Sequence, residues 1–398
     1  MKKIVCFLLN ILFCFECFAA SSVSFNEWKK TFELQALKSN ISQNTLDKYF
    51  ANVVYLPGVI ESDRRQPEFT LTFSNYMQKM ITDTRIKQAR QLWYEHHDLL
   101  TKTAQKYGVP VQYLLAFWGL ETNFGKNKGQ TPIVSALATL AYDERRSEFF
   151  TEQLLKMLHI LQKQQIQAPN SSWAGAFGHF QFMPSTFWSY AVDENQDGKI
   201  DIYDDFEDAV GSAANYLAHM GWQRSVRWGR QVRLTDVKVS EHLNEYHSLS
   251  EWNQMGIVPM DGQKLVSDTD MQAQLLLPQG AEGCAFLVYK NFNVIKKWNN
   301  SDFYALAVGV LADKITGYDA FDVHKIKKDT AFNREQIKSV QHSLAQQGFY
   351  QGKIDGSLGK KTKKALQEYQ KQNQMLPDGF LSDTLFKMIV SNEGKKNE

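Results

Sequence analysis

Two groups of residues have types and spacing that could do chemistry. The first is a carboxylate at the end of an apolar run. Val111 to Leu120 reads Val-Gln-Tyr-Leu-Leu-Ala-Phe-Trp-Gly-Leu and then meets Glu121-Thr122-Asn123-Phe124-Gly125. A helix this apolar is buried on most sides, and Gly125 is a natural stop. A carboxylate in its last turn faces the negative end of the helix dipole. With Trp118, Leu120 and Phe124 as neighbours it would also lose water. Both effects raise a carboxyl pKa, as a general acid at neutral pH requires. Position alone favours the plainer reading of a solvated glutamate at a helix end.

The second group is the acidic run Asp193-Glu194-Asn195-Gln196-Asp197-Gly198-Lys199-Ile200-Asp201-Ile202-Tyr203-Asp204. It fits the twelve-residue EF-hand loop, with Asp193, Asn195 and Asp197 at positions one, three and five and Gly198 at the sharp turn. Lys199 would offer its backbone carbonyl and Asp201 would act through water. Asp204 stands where the usual ligand is a bidentate glutamate, and its shorter arm weakens the site or favours magnesium. The loop predicts a structural calcium ion, set against the plainer reading of a solvated acidic turn. No organic cofactor is implied. Cys284 lies in the apolar run Cys284-Ala285-Phe286-Leu287-Val288-Tyr289 and reads as a core thiol, not a nucleophile.

These groups must be positioned by more than one domain, since the chain has 398 residues. Hydrophobic residues at 43% and charged residues at 22% exclude a disordered chain and a polytopic membrane protein. Lys+Arg 45 against Asp+Glu 43 gives no polyanion-binding field, so nucleic acid is not an expected partner. Met1-Lys2-Lys3, the apolar run to Phe15 and the small-residue exit near Ala19 read as a secretory signal peptide over residues 1–19. Its removal takes Cys6, Cys14 and Cys17, so the mature chain forms no internal disulfide. No leucine-led lipobox precedes these cysteines, and neither lipidation nor stable membrane insertion after cleavage is expected.

Residues 25 to about 222 read as helices, with three- and four-residue apolar spacing over Ile86 to Tyr107, Val111 to Glu121 and Phe149 to Gln164. A β-rich texture takes over after Trp222, including Arg230 to Leu234 and Ala285 to Trp298, before a helical run from Tyr304 to Leu311. Residues 317–332 are polar and read as a linker. A small unit follows over 333–392, with helices at Arg334 to Gln347 and Lys360 to Gln372 and turns at Asp355-Gly356 and Asp378-Gly379.

The Glu121 to Gly125 motif, with Ala136 to Ala141, Arg145-Arg146, Trp173 to Ser185 and Asn215 to Trp222, resembles the core of the membrane-bound lytic murein transglycosylase B family. The resemblance covers roughly residues 25 to 315. It implies a mainly α (α+β) fold: a lysozyme-like helical catalytic domain over 25–316, with a small β-rich insertion at about 223–297 and the EF-hand-like loop. It implies cleavage of the β-1,4 bond between N-acetylmuramic acid and N-acetylglucosamine in peptidoglycan, leaving 1,6-anhydro-N-acetylmuramoyl ends. The family's catalytic carboxylate falls on Glu121. Saccharide contacts fall on Tyr76, Ser172, Gln181, Tyr216 and Asn299. Trp298 stands where the family often has tyrosine, which keeps stacking and loses a hydroxyl. Arg145 and Arg146 would meet stem-peptide carboxylates.

The unit at 333–392 resembles the three-helix peptidoglycan-binding domain, and Lys353, Lys360, Lys361, Lys363 and Lys364 give it a basic face. The implied setting is the periplasm and the implied partner peptidoglycan glycan strands, with cell-wall synthesis or division proteins left open. Two other readings stand: a lysozyme-like hydrolase on the same scaffold, and a non-catalytic cell-wall-binding scaffold.

Overall fold

A computed structural model of the chain describes residues 23–65, 71–243, 245–260, 271–318 and 321–391. The expected signal segment, with Cys6, Cys14 and Cys17, lies outside the described residues. Among them, no helix is long and apolar enough to cross a membrane.

The chain as far as Trp222 is a helical bundle, as its apolar spacing predicts. The stretch read as one helix from Ile86 to Tyr107 is two, Asp83–Glu95 and His97–Tyr107. His96 leaves helical geometry between them, and its ring packs against Phe206 at 4.8 Å. A one-residue break barely shifts the apolar stripe, so periodicity does not register it. Val111–Thr122 runs through the middle of the bundle with most of its side chains buried. It packs against Asp302–Ile315 and Asp83–Glu95. A two-residue ladder joins β1 (Thr131–Pro132) to β2 (Asn170–Ser171).

The β-rich insertion holds β3 (Gly229–Leu234), β4 (Tyr246–Ser248), β5 (Ile257–Pro259), β6 (Gln272–Leu276) and β7 (Ala285–Val288). They form one antiparallel sheet in the order β4-β6-β7-β3-β5. Side chains alternate across a strand, and β7 uses both faces. Phe286 and Val288 join the main core with Phe73, Trp228 and Phe321, while Ala285 and Leu287 join a second core with Trp252 and Leu275. The β character read from Ala285 to Trp298 stops at Val288, and Lys290–Trp298 is a helix. Phe292 and Ile295 are buried at helical spacing there, which a run rich in β-branched and aromatic residues conceals.

Residues 321–326 of the expected linker are packed onto the catalytic unit. Phe321, Val323 and Ile326 are buried in the main core. Asp329 accepts from the backbone N–H groups of Phe73 (3.0 Å) and Ser74 (3.1 Å), an anion at the N-terminus of helix Phe73–Met80. Three helices follow, Arg334–Gln346, Lys360–Gln372 and Asp383–Ser391, around Val340, Leu344, Leu366, Tyr369 and Leu385. Gln341 is fully buried; it accepts from Gly356 N–H (2.8 Å) and donates to Asp355 (3.0 Å), which fixes the Asp-Gly turn. The second such turn docks on the insertion, where Asp378 Oδ2 accepts from Ala281 N–H at 3.0 Å.

Phe286 joins the sheet to the helical core, so Phe286→Ala should destabilise the chain by about 3–5 kcal/mol. Urea unfolding followed by circular dichroism checks this, the expected outcome being a clearly lower midpoint.

Candidate active site

The site begins where the helix Val111–Thr122 ends. Asn123, Phe124 and Gly125 follow one another in left-handed conformation, with φ of 50°, 60° and 80°. Asn123 N–H bonds to Gly119 O, and the stop comes two residues before the glycine that sequence marks. Thr122 Oγ1 donates to His179 O (2.7 Å) and accepts from Gly125 N–H (2.9 Å), which ties the helix end to the loop around residue 179. A Cβ on Gly125 would lie 2.6 Å from the His179 ring, so this position needs glycine for space as well as for φ.

Glu121 projects from this end into a partly open setting. Tyr304 O–H donates to its Oε1, and the Trp298 side chain also donates to it. Burial raises the carboxyl pKa to about 7, against the opposing pull of these two hydrogen bonds. Trp118 stacks on Phe206 at 4.1 Å and donates to His179 Nδ1 at 3.0 Å, and Phe124 packs edge-on against Trp118. The two donors to Glu121, Tyr304 and Trp298, come from far along the chain.

Trp298 gathers the other residues. Its ring lies 4.6 Å from Phe117, 5.4 Å from Phe182 and 5.1 Å from Tyr216. Tyr216 O–H donates to Lys297 O (2.9 Å), so the helices carrying residues 216 and 298 are joined beside the carboxyl. Tyr76 is buried against Phe303 at 5.9 Å, and burial, then the charge of Glu121, hold its phenol well above the usual range. Gln181 takes φ of 50° and donates to Lys128 O and Gly178 O, while Ser172 Oγ accepts from Ala176 N–H. Asn299 is exposed immediately after Trp298.

Arg145 and Arg146 both pair with Asp63, which is 2% exposed; Arg145 Nη1 reaches its Oδ2 at 2.8 Å. Asp143, the acid beside them, accepts from Arg64 at 2.7 Å.

Four participants escape sequence reasoning. Tyr304 lies in an aliphatic helical run, and its only signal is a position three residues after the N-cap Ser301. Arg85 is half-buried beside Tyr76 and donates to Met80 O; burial lowers its pKa. Asp63 has no motif around it. Asp208 is 1% exposed and accepts from the N–H groups of Glu194 (2.7 Å), Asn195 (3.4 Å) and Asp201 (2.8 Å), which staples both limbs of the acidic loop.

Within that loop, Asp193 accepts from Asp197 N–H (3.1 Å) and Gly198 N–H (2.9 Å), and Asn195 Oδ1 from Asp197 N–H (2.9 Å). Asp197 Oδ1 accepts from Lys199 N–H, and Asp201 Oδ1 from Tyr203 and Asp204 N–H. Asp204 pairs with Lys128 at 3.4 Å and its side chain is 78% exposed. Cys284 is a free, half-buried thiol, pushed up to about 11 by burial and by Asp329, which leaves it a poor nucleophile.

Comparison with known proteins follows the same division. Residues 24–313 match the family model described as Transglycosylase SLT domain, and residues 333–389 match Putative peptidoglycan binding domain. The chain is 32% identical over 243 residues to membrane-bound lytic murein transglycosylase B of Escherichia coli (strain K12). That match covers 60% of this chain and 66% of the relative, just under two thirds of its length. SltB3 from Pseudomonas aeruginosa, solved in complex with NAG-anhNAM-pentapeptide, superposes with a TM-score of 0.86 at 39% identity, over 92% of this chain and 99% of that one. Escherichia coli Slt35, solved in complex with calcium, gives a TM-score of 0.63 at 29% identity, over 72% and 92%.

Two outcomes follow from the raised pKa of Glu121. A carboxyl raised on folding stabilises fully below its unfolded value of 4.5, and that contribution is lost as pH rises through about 7. Glu121→Gln should therefore melt above the parent chain in mildly alkaline buffer and close to it in acid, as read by differential scanning calorimetry. Tyr304→Phe removes a hydrogen bond that lowers the pKa, so the Glu121 titration followed by carboxyl NMR should move to higher pH.

Proposed function

The chain belongs to the transglycosylase SLT domain family, and we propose from that premise that it is a lytic transglycosylase that cleaves peptidoglycan glycan strands with Glu121 as its one catalytic carboxyl. The observation that carries the reading is a buried carboxyl at the end of Val111–Thr122, held by the Tyr304 O–H and raised by burial to about 7. A carboxyl poised there holds a proton at neutral pH and can also take one back. The groups that set its acidity are burial, Tyr304 and Trp298, with no second carboxylate among them. Ordinary glycosidases use two carboxylates.

Glu121 donates its proton to the glycosidic oxygen between N-acetylmuramic acid and N-acetylglucosamine. As that bond breaks, the substrate's acetamido group and the dipoles around the carboxyl stabilise the oxocarbenium-like centre. The Glu121 carboxylate then removes the proton from the sugar 6-hydroxyl, whose oxygen closes on C1 of the same ring. No water is consumed, and Glu121 ends protonated as it began. Tyr304 O–H holds the carboxyl in place. Tyr76, Ser172, Gln181, Tyr216, Trp298 and Asn299 hold the saccharide, and Trp298 offers a stacking face in place of a hydroxyl. Arg145 and Arg146 keep exposed edges for stem-peptide carboxylates, with part of their charge neutralised by Asp63.

Asp193, Asn195, Asp197, Asp201 and the Lys199 carbonyl are hard oxygen donors in a loop already curled by its own amides, which suits calcium. Such an ion would supply cross-linking, with no part in the reaction. Asp204 is the weakest of the set, being turned toward Lys128. The unit at 333–389 holds the enzyme on the polymer and raises its effective concentration there. The setting is the periplasm, reached through the signal segment.

Mass spectrometry of the products released from purified sacculi tests the reaction. The expected muropeptides are one water lighter than hydrolysis products, and products carrying that water would instead establish a hydrolase. Glu121→Gln should lower release by at least about 10³-fold, by analogy with other losses of an essential proton-transfer group. Calcium should raise the melting temperature of the parent chain and leave that of Asp193→Asn/Asp197→Asn unchanged.

A further inference from the structure

A cluster far from Glu121 in sequence gathers donors of another kind. The turn Val237–His242 ends on His242, Glu245 follows, and His247 lies in β4 at the edge of the sheet. His242 Nδ1 and His247 Nε2 each lie 2.9 Å from the same oxygen, Glu245 Oε2. Their donor atoms all fall within 4.8 Å of one another. We propose that His242, Glu245 and His247 bind a divalent cation of the zinc class.

Three properties support this assignment. Two imidazoles and one carboxylate match the ligand preference of zinc, whereas calcium and magnesium prefer oxygen alone, as in the acidic loop. The spacing is also suitable. Zinc bonds of about 2.0–2.2 Å in a tetrahedron separate ligand atoms by about 3.4 Å, so small side-chain movements turn the hydrogen-bonded cluster into a metal-bound one. Finally, the principal ligand is held in advance. The His247 ring packs edge-on against Trp252 at 4.9 Å, and the fully buried Trp252 donates its Nε1–H to Ala273 O at 2.9 Å.

Glu251, the next acid along, is committed to the N-cap of Leu249–Gln254 through Ser248 and is no fourth ligand. Three protein ligands leave one position for water or an external donor. The side chains of His242 and Glu245 are 42% and 52% exposed, so an ion can enter from solvent. Bound there, it ties the turn to edge strand β4. Tyr246 of that strand accepts from Asn293 on the helix Lys290–Trp298, so the clamp braces the insertion where it meets the helix that delivers Trp298.

The test uses the full mature chain, free of any affinity tag and stripped of metal, in competition with a chromophoric zinc chelator. The parent chain should remove one equivalent of zinc from the dye and melt at a higher temperature with zinc than without. Excess calcium should not displace that equivalent, and Asp193→Asn/Asp197→Asn should retain it. His242→Gln, at a half-exposed position, and His247→Gln should each lose it while keeping the parent circular dichroism spectrum. Uptake should weaken from neutral to mildly acid pH, because imidazole ligands must be unprotonated. A parent chain that takes no zinc from the dye overturns the assignment. So does a folded His242→Gln chain that takes the full equivalent with parent affinity.

Discussion

Everything in the catalytic unit depends on keeping one carboxyl dry without leaving it unpartnered. A buried carboxylate with no hydrogen bond is costly, and one with many is a permanent anion. Glu121 stands between those limits, with Tyr304 and Trp298 supplying two donors and burial outweighing both. That balance requires the end of Val111–Thr122, the end of Lys290–Trp298 and the start of Asp302–Ile315 to meet at one point. The strands β3 to β7 lie between the first and the other two in sequence. Their sheet sets where the chain re-enters the bundle, and Phe286 and Val288 anchor it to the helical core.

The long apolar helix Val111–Thr122 was legible in the sequence, whereas the partners across the fold were not. Val111 to Glu121 reads as a buried helix because almost every residue is apolar, and the structure agrees to within a residue. Its neighbour broke at His96 because a single residue outside helical geometry leaves the apolar stripe nearly in phase. Glu121 stands out from its place after an apolar run, and burial does raise its pKa as that place implies, while the two donors that oppose the rise come from distant segments. Trp118 stacks on Phe206 and packs against the rings of His179 and Phe124. Tyr304 was hidden. Its importance comes wholly from a contact with a residue 183 positions away.

The acidic loop shows the same contrast. Its spacing announces oxygen donors, and these do curl onto the loop's own amides. Asp208, which holds both limbs together, lies beyond the motif and looks like an ordinary first-turn acid of the helix Phe206–His219. A carboxylate can serve as a structural centre by collecting backbone N–H groups, and no residue pattern encodes that use of it.

Residues 317–332 have the composition of a flexible spacer. Their sparse apolar side chains, Phe321, Val323 and Ile326, nonetheless plug into the main core, and Asp329 caps a helix there. Beyond them, Asp378 is latched to Ala281. A module on a slack cord surrenders motional freedom whenever both of its ends grip one polymer, and its gain in avidity depends on the cord's length. Here that freedom has been surrendered during folding. The catalytic unit and the terminal helices keep one set spacing, held by the core contacts of Phe321, Val323 and Ile326 and by the Asp378–Ala281 latch.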